Sequence, residues 1–267
     1  MITNKRVKEL IIMNQKARAR RDENAFLTEG TKMFMEAPTE RIREIYVSES
    51  FFAKENVEPA ILRKLEECGY ETVPEQIFGK ISDTRTPQGI LCVIERRETD
   101  IKELLEAKQP LFMILEDIQD PGNLGTIIRT GEGAGVTGII LSRGCVDIYN
   151  PKTIRSTMGS VYRVPFFYTD HLSDILHTLK DQGTVLYAAH LLGTKSYDEV
   201  DYTENAHGTA FMIGNEGNGL ADATASEASQ YIKIPMKGEV ESLNAAIAAT
   251  LLMYETARQF RGKETNR

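Results

Sequence analysis

The sequence predicts an α/β protein in two parts, the second built on a mostly parallel sheet. Two observations carry this reading. Glycine is unevenly placed, with 4 of the 20 in residues 1–106 and 16 in residues 107–267. Short apolar runs alternate with stretches of helical spacing, and in the second part several runs lead straight into polar segments bearing glycine. Strands that open into ligand-binding loops at their C-terminal ends leave that pattern. With 267 residues, 41% hydrophobic and 27% charged, the chain has the length and apolar content to bury a core.

In order along the chain, Val7, Leu10 and Ile11 share a helical spacing, residues 25–27 and 45–47 read as strands, and residues 59–68 as a helix. An apolar run at 89–94 closes a small α/β module over residues 1–97. The charged stretch 95–108 is a connector with a short helix. A second domain, over residues 107–267, opens with a buried strand at 111–115, the turn Asp120-Pro121-Gly122-Asn123 and a helical pattern through Arg129. Further strands are expected at 138–141, 185–189, 210–213 and 231–234, and helices at 170–180 and 243–260. The last helix carries Leu243, Ile247, Leu251 and Tyr254 on one stripe, which packs against the sheet or a partner chain.

Composition and spacing exclude several function classes. No apolar stretch approaches the roughly 20 residues of a membrane span, and the N-terminus lacks the apolar region of a signal peptide, so no membrane helix and a cytoplasmic location are expected. Cys68, Cys92 and Cys145 are odd in number and far apart, which fits reduced core residues and neither a disulfide framework nor zinc. His171, His177, His190 and His207 lie outside the glycine-bearing segments, and no GxSxG occurs, so hydrolase triads and metal sites lose support. A GxGxxG opening a first βαβ unit and a GxxxxGK[ST] are also missing, which disfavours a dehydrogenase and a P-loop nucleotide site. The net charge of −7, from 32 basic and 39 acidic residues, argues weakly against nucleic acid. Against that average, residues 1–21 carry Lys5, Arg6, Lys8, Lys16, Arg18, Arg20 and Arg21 with Glu9 as their sole acid. This arm is either a solvated helix face or a phosphate-contacting surface.

Three segments carry the chemistry: Asp120-Pro-Gly-Asn-Leu-Gly-Thr-Ile-Ile-Arg129, Gly214-Asn-Glu-Gly-Asn-Gly-Leu220, and Ile234-Pro-Met-Lys-Gly-Glu-Val-Glu-Ser-Leu-Asn244. In this order and spacing they resemble the signature motifs of the SpoU (TrmH-type) family of knotted RNA methyltransferases. The resemblance covers roughly residues 111–254, and residues 150–160 resemble the family's intervening motif. Less specifically, Phe26-Leu27-Thr28-Glu29-Gly30 and Gln88-Gly89-Ile90 resemble the ribosomal-protein-like RNA-binding module that many members carry in front.

The resemblance implies transfer of a methyl group from S-adenosylmethionine to a ribose 2′-hydroxyl in RNA, ribosomal RNA being favoured over transfer RNA. It also implies an α/β fold with a deep trefoil knot and a homodimer. Pattern alone would never suggest a threaded chain. Gly214, Ile234 and Leu243 match the family's cofactor contacts; Met236 either lines the adenine pocket or fills core. Arg129 matches the catalytic arginine, which the family proposal makes a base. A guanidinium with a pKa above about 12 is better suited to holding phosphate and stabilising an alkoxide. Glu216 would accept a proton or position Arg129. Asn123, Ser242 and Asn244 would orient the reacting groups, and the last two could also cap the final helix. Arg143, Lys152, Arg155 and Arg163 add basic groups near the intervening motif. An already activated sulfonium donor needs no metal. The alternative from another class is a non-catalytic RNA-binding protein on the same fold, against which the intact Arg129, Glu216, Ser242 and Asn244 speak.

Overall fold

A computed structural model describes residues 2–53, 57–240 and 242–265. Its contacts divide the chain into two compact units, Met1–Arg97 with Asp147–Tyr162, and Glu98–Val146 with Arg163–Arg267.

The first unit begins with α1 (Asn4–Gln15), started by the Thr3 side chain accepting from the Arg6 N–H, and α2 (Ala17–Asp22). There follow β1 (Ala25–Glu29), α3 (Thr31–Glu36), β2 (Ile42–Ser48), α4 (Pro59–Cys68), β3 (Glu71–Val73), α5 (Glu75–Ile81) and β4 (Ile90–Glu95). The four strands lie in the order β1-β4-β2-β3, with β4 antiparallel to both neighbours and β3 parallel to β2. Val7, Leu10 and Met13 of α1 meet Leu27, Tyr46, Leu91 and Val93 in its core. The sequence pattern passes over α3, α5 and β3 because each is too short to complete a periodic stripe.

The second unit opens with α6 (Ile101–Leu105), β5 (Leu111–Leu115), α7 (Pro121–Ala134) and β6 (Gly138–Ser142). After α8 (Pro151–Thr157), which belongs to the first unit, come β7 (Phe166–Thr169), α9 (Leu172–Asp181), β8 (Val185–Ala189) and β9 (Lys195–Ser196). The chain ends with β10 (Thr209–Ile213), α10 (Asp222–Ser226), β11 (Gln230–Lys233) and α11 (Ala245–Thr265). All seven strands are parallel, in the order β7-β6-β5-β10-β8-β11-β9. Central β5 and β10 are buried along their whole length, which is why they read as unbroken apolar runs and not as alternation. Phe112, Ile114, Ile140, Leu176, Leu186 and Met212 form the core on one face.

Segment 147–162 departs from its place in the sequence, which set it inside the second domain. The Asp147 carboxylate receives the buried Arg20 guanidinium at 2.7 and 2.9 Å. Tyr149 stacks on Phe26 with ring centroids 4.3 Å apart, and its hydroxyl donates to the Arg97 carbonyl at 2.9 Å. The Tyr162 hydroxyl donates to the Met33 carbonyl. These partners are 52 to 129 residues away in sequence, a separation that no local pattern records.

Several charges expected to be free are engaged. Arg6 pairs with Glu9 and Glu44, and Arg20 serves Asp147 and the carbonyls of Met13 and Asn14. Within the arm these two are structural and not phosphate ligands. Arg143 pairs with Asp170, Arg155 with Asp83, and Arg163 with Glu132. The final helix also differs from its expected stripe. Ala246, Ala249, Leu252 and Met253 are its buried face, whereas Ile247 and Tyr254 are 51% and 42% exposed. Cys92 and Cys145 are buried and Cys68 half-buried, all as free thiols, and burial pushes Cys92 up to about 12. Among the described residues no helix is long and apolar enough to cross a membrane.

Candidate active site

Neighbouring strands β5, β10, β8 and β11 send their C-terminal loops to one edge of the second unit. Leu115 and Ile213 stand opposite each other at the ends of β5 and β10, so the first two motifs leave the sheet side by side. Asp120 caps α7 by accepting from the Asn123 N–H at 2.8 Å, with Pro121 in the first turn, where its missing N–H costs nothing. Asn123 is thereby held in that turn.

From Asn123 a chain of hydrogen bonds joins all three motifs. Its amide donates to Glu216 Oε1 at 2.9 Å, and its Oδ1 accepts from the Asn244 amide at 2.9 Å. Asn244 Oδ1 in turn accepts from the N–H groups of Ala246 and Ile247, capping α11. Glu216 also accepts from the backbone N–H groups of Gln119 and Asp120, each at 3.1 Å. Partial burial opposes ionisation of this carboxyl, but the donors from Asn123, Gln119 and Asp120 outweigh it and hold Glu216 below the usual carboxylate range.

Below this chain α7 and α11 run side by side in the same direction. Thr250 donates to the Thr130 hydroxyl at 3.2 Å, and a Cβ on Gly133 would stand 2.7 Å from the Tyr254 hydroxyl. Arg129, six residues beyond Asn123 and so about 9 Å along the axis, is exposed. It has no hydrogen-bond or ion-pair partner among the described residues. Ser242 is also exposed and without such a partner among the described residues, so the capping role falls to Asn244. Gly214 follows β10, Ile234 and Met236 follow β11 and Leu243 precedes α11, and all four are half-buried. Asn123, Glu216 and Asn244 are therefore brought together, while Arg129 and Ser242 stand without a bond to them.

Sequence reading missed two residues that shape the loops. Glu116, directly after β5, accepts from the Ala221 N–H at 2.8 Å and from the Thr224 hydroxyl. Asn215 donates to the Asp117 carbonyl and accepts from Gly217 and Asn218, closing its loop on itself. Gly214 is required by that closure, because a Cβ there would overlap the backbone of Gly219 and Leu220. The available signal was an acid immediately after an apolar strand and an asparagine immediately after a strand-end glycine. The β8 loop escaped notice because it carries no motif: Gly193 lies against the Ile232 backbone, and His190 Nδ1 accepts from the Leu192 N–H, leaving Leu191 and Leu192 70% and 74% exposed.

Polar loops at the C-terminal edge of a parallel sheet, flanked by half-buried apolar side chains, define an α/β ligand-binding site of the open-sheet class. The lining fits an adenosine: Ile234, Met236 and Leu243 provide half-buried apolar surface and the folded-back Gly214 loop permits close backbone approach. Among the described residues no group of His, Cys, Asp and Glu could hold a metal ion.

Comparison with known proteins agrees. The SpoU rRNA methylase family profile matches residues 110–254, and that of the MRM3-like substrate binding domain matches residues 4–92. The 23S rRNA (guanosine(2553)-2′-O)-methyltransferase RlmP of Bacillus subtilis is 32% identical over 94% of this chain and 95% of its own. The 23S rRNA (guanosine-2′-O-)-methyltransferase RlmB of Bordetella pertussis is 31% identical over 84% of this chain and 91% of its own. An AdoMet-bound rRNA methyltransferase from Sinorhizobium meliloti superposes with a TM-score of 0.81 at 28% identity, over 97% of this chain and 96% of that one. The chain belongs to the SpoU rRNA methylase family and is an RNA methyltransferase that uses S-adenosylmethionine.

Proposed function

We propose that the protein methylates a ribose 2′-hydroxyl of ribosomal RNA in the cytoplasm, working as a homodimer on a knotted second domain. The carrying observation is the Asn244–Asn123–Glu216 chain, which joins the three motifs, with Arg129 exposed on the same helix as Asn123 and without a hydrogen-bond or ion-pair partner among the described residues. Gly214, Ile234, Met236 and Leu243 hold the cofactor, which when bound supplies a methyl group already activated on sulfur.

The remaining work belongs to the protein's own groups. Arg129 presents a planar fork to an RNA phosphate and to the charge that develops on the 2′-oxygen, and stays protonated throughout. Glu216 is a positioning residue: three donors take three of its roughly four lone-pair sites and hold its carboxyl ionised, which makes it a poor proton acceptor. Ser242 and Asn244 orient the ribose from the third motif. Exposed Ile247 and Tyr254 offer apolar surface to the second copy.

The test is transfer of an isotopically labelled methyl group from S-adenosylmethionine to 23S rRNA and, separately, to transfer RNA. Label resistant to alkaline cleavage at one nucleotide of 23S rRNA is the expected result. Label on a base, or in transfer RNA alone, would overturn the reading.

A further inference from the structure

Loop 82–89 of the first unit is pinned at both ends by side chains the catalytic site does not use. The Glu29 carboxylate accepts from the Ser82 hydroxyl at 2.7 Å, the Thr84 hydroxyl at 2.6 Å and the Gln88 N–H at 3.4 Å. Gln88 Oε1 returns to accept from the Thr31 N–H at 3.2 Å. Gly30 makes room for it with a φ of +103°, where a Cβ would stand 2.6 Å from that oxygen. Between the pins Arg85, Thr86 and Pro87 are exposed, and Arg85 has no hydrogen-bond or ion-pair partner among the described residues.

Beside this loop lies α8. Its Arg155 reaches Asp83 at 2.6 Å in a pair that leaves both side chains near 40% exposed, at 40% and 43%. Lys152 of α8 is exposed as well. An ion pair so open to water contributes little to stability, and a phosphate offers a guanidinium two oxygens in place of the carboxylate. We propose that loop 82–89 and α8 form a phosphate-binding surface for the RNA backbone, with Arg85 and Arg155 as its principal contacts and Asp83 occupying the phosphate's place until RNA arrives. Held loop geometry lowers the entropy cost of ordering Arg85 on binding. Segment 147–162, whose residues 150–160 resemble the family's intervening motif, thus serves RNA capture in the first unit. The inference rests on RNA being the substrate.

Binding of full-length protein to a labelled, in vitro transcribed 23S rRNA fragment across a salt series tests it. The double variant Arg85→Ala, Arg155→Ala should bind about tenfold more weakly and lower the salt slope by about one to two, each phosphate contact contributing roughly 0.7 to 0.9. Asp83→Asn should bind severalfold more tightly, a sign that a purely structural ion pair would not produce. An unchanged slope in the double variant, with melting temperature and calorimetric S-adenosylmethionine binding preserved, would overturn the proposal. Should the double variant fail to fold, Asp83→Asn decides alone, and unchanged or weaker binding refutes it. Methyl transfer by the unmodified protein is scored separately, so a failure of the enzymatic reading is distinguishable from a failure of this surface.

Discussion

Asn244 donates its side-chain amide to Asn123 Oδ1 at 2.9 Å, so the cap of α11 is bonded to the first turn of α7 at the point where the two helices start side by side. One amide therefore both caps a helix and links two motifs. Asn244→Ala should destabilise by about 1 kcal/mol for the lost cap, seen as a melting temperature lower by roughly 2–4 °C. Asn244→Asp keeps an acceptor for the cap but turns an acceptor toward Asn123. It should melt near the unmodified protein and still lose methyl transfer at least tenfold, the split being read by calorimetry beside single-turnover assays. Equal effects of the two substitutions on melting and on activity would count against the link.

Arg129 concentrates the catalytic claim. Because it is exposed and without a partner among the described residues, Arg129→Ala should leave melting temperature and cofactor affinity unchanged. Transfer should fall by about a hundredfold or more, as for loss of one preorganised charge-stabilising donor. Arg129→Lys should recover little, since an ammonium cannot present two parallel N–H groups. Full activity in the alanine variant would remove Arg129 from the mechanism.

For Glu216 the prediction concerns pH. Its folded carboxyl titrates below the usual range, whereas the unfolded value is about 4.3. The stabilisation from Glu216 is therefore complete above the unfolded value and is lost as pH falls through the depressed folded one. Glu216→Gln should lower stability at neutral pH and flatten the acid limb of the stability profile in that window. Superimposable acid limbs for the two proteins would refute the donor arrangement.

Gly214 tests the loop closure. A methyl group there meets the Gly219 and Leu220 backbone, which cannot yield as a side-chain tip can. Gly214→Ala should cost about 1–3 kcal/mol, the usual penalty of overpacking, and weaken S-adenosylmethionine binding at least tenfold by calorimetry. Gly217→Ala, whose Cβ would sit 3.5 Å from Asn215 Oδ1, is the neutral comparison.

Association is checked by light scattering. Two chains of 30.0 kDa should scatter as a particle of about 60 kDa, and Ile247→Glu with Tyr254→Glu should shift it toward the monomer. A monomer at every concentration in the unmodified protein would exclude the dimer.

Local chemistry made much of this protein legible in one dimension. The bounds of β5, β8 and α4 follow from unbroken apolar runs and from Pro59 at a helix start, because burial on both faces and a fixed φ are properties of a few adjacent residues. The three polar segments that hold Asn123, Glu216 and Asn244 were likewise visible, since each follows a strand, and the family resemblance singled out the residues within them. Their bonding to one another was not, because residues 93 and 121 positions apart meet only once the parallel sheet sets β5, β10 and β11 together. Tertiary structure alone decided which charges are engaged: nothing local to Arg6, Arg20 or Arg163 in the sequence marks it as paired, yet all three are. It also decided that segment 147–162 packs in the first unit. The physical reason is common to both. Periodicity and turn chemistry are local, whereas ion pairing and packing depend on which distant carboxylate or ring the fold carries to within a few ångströms.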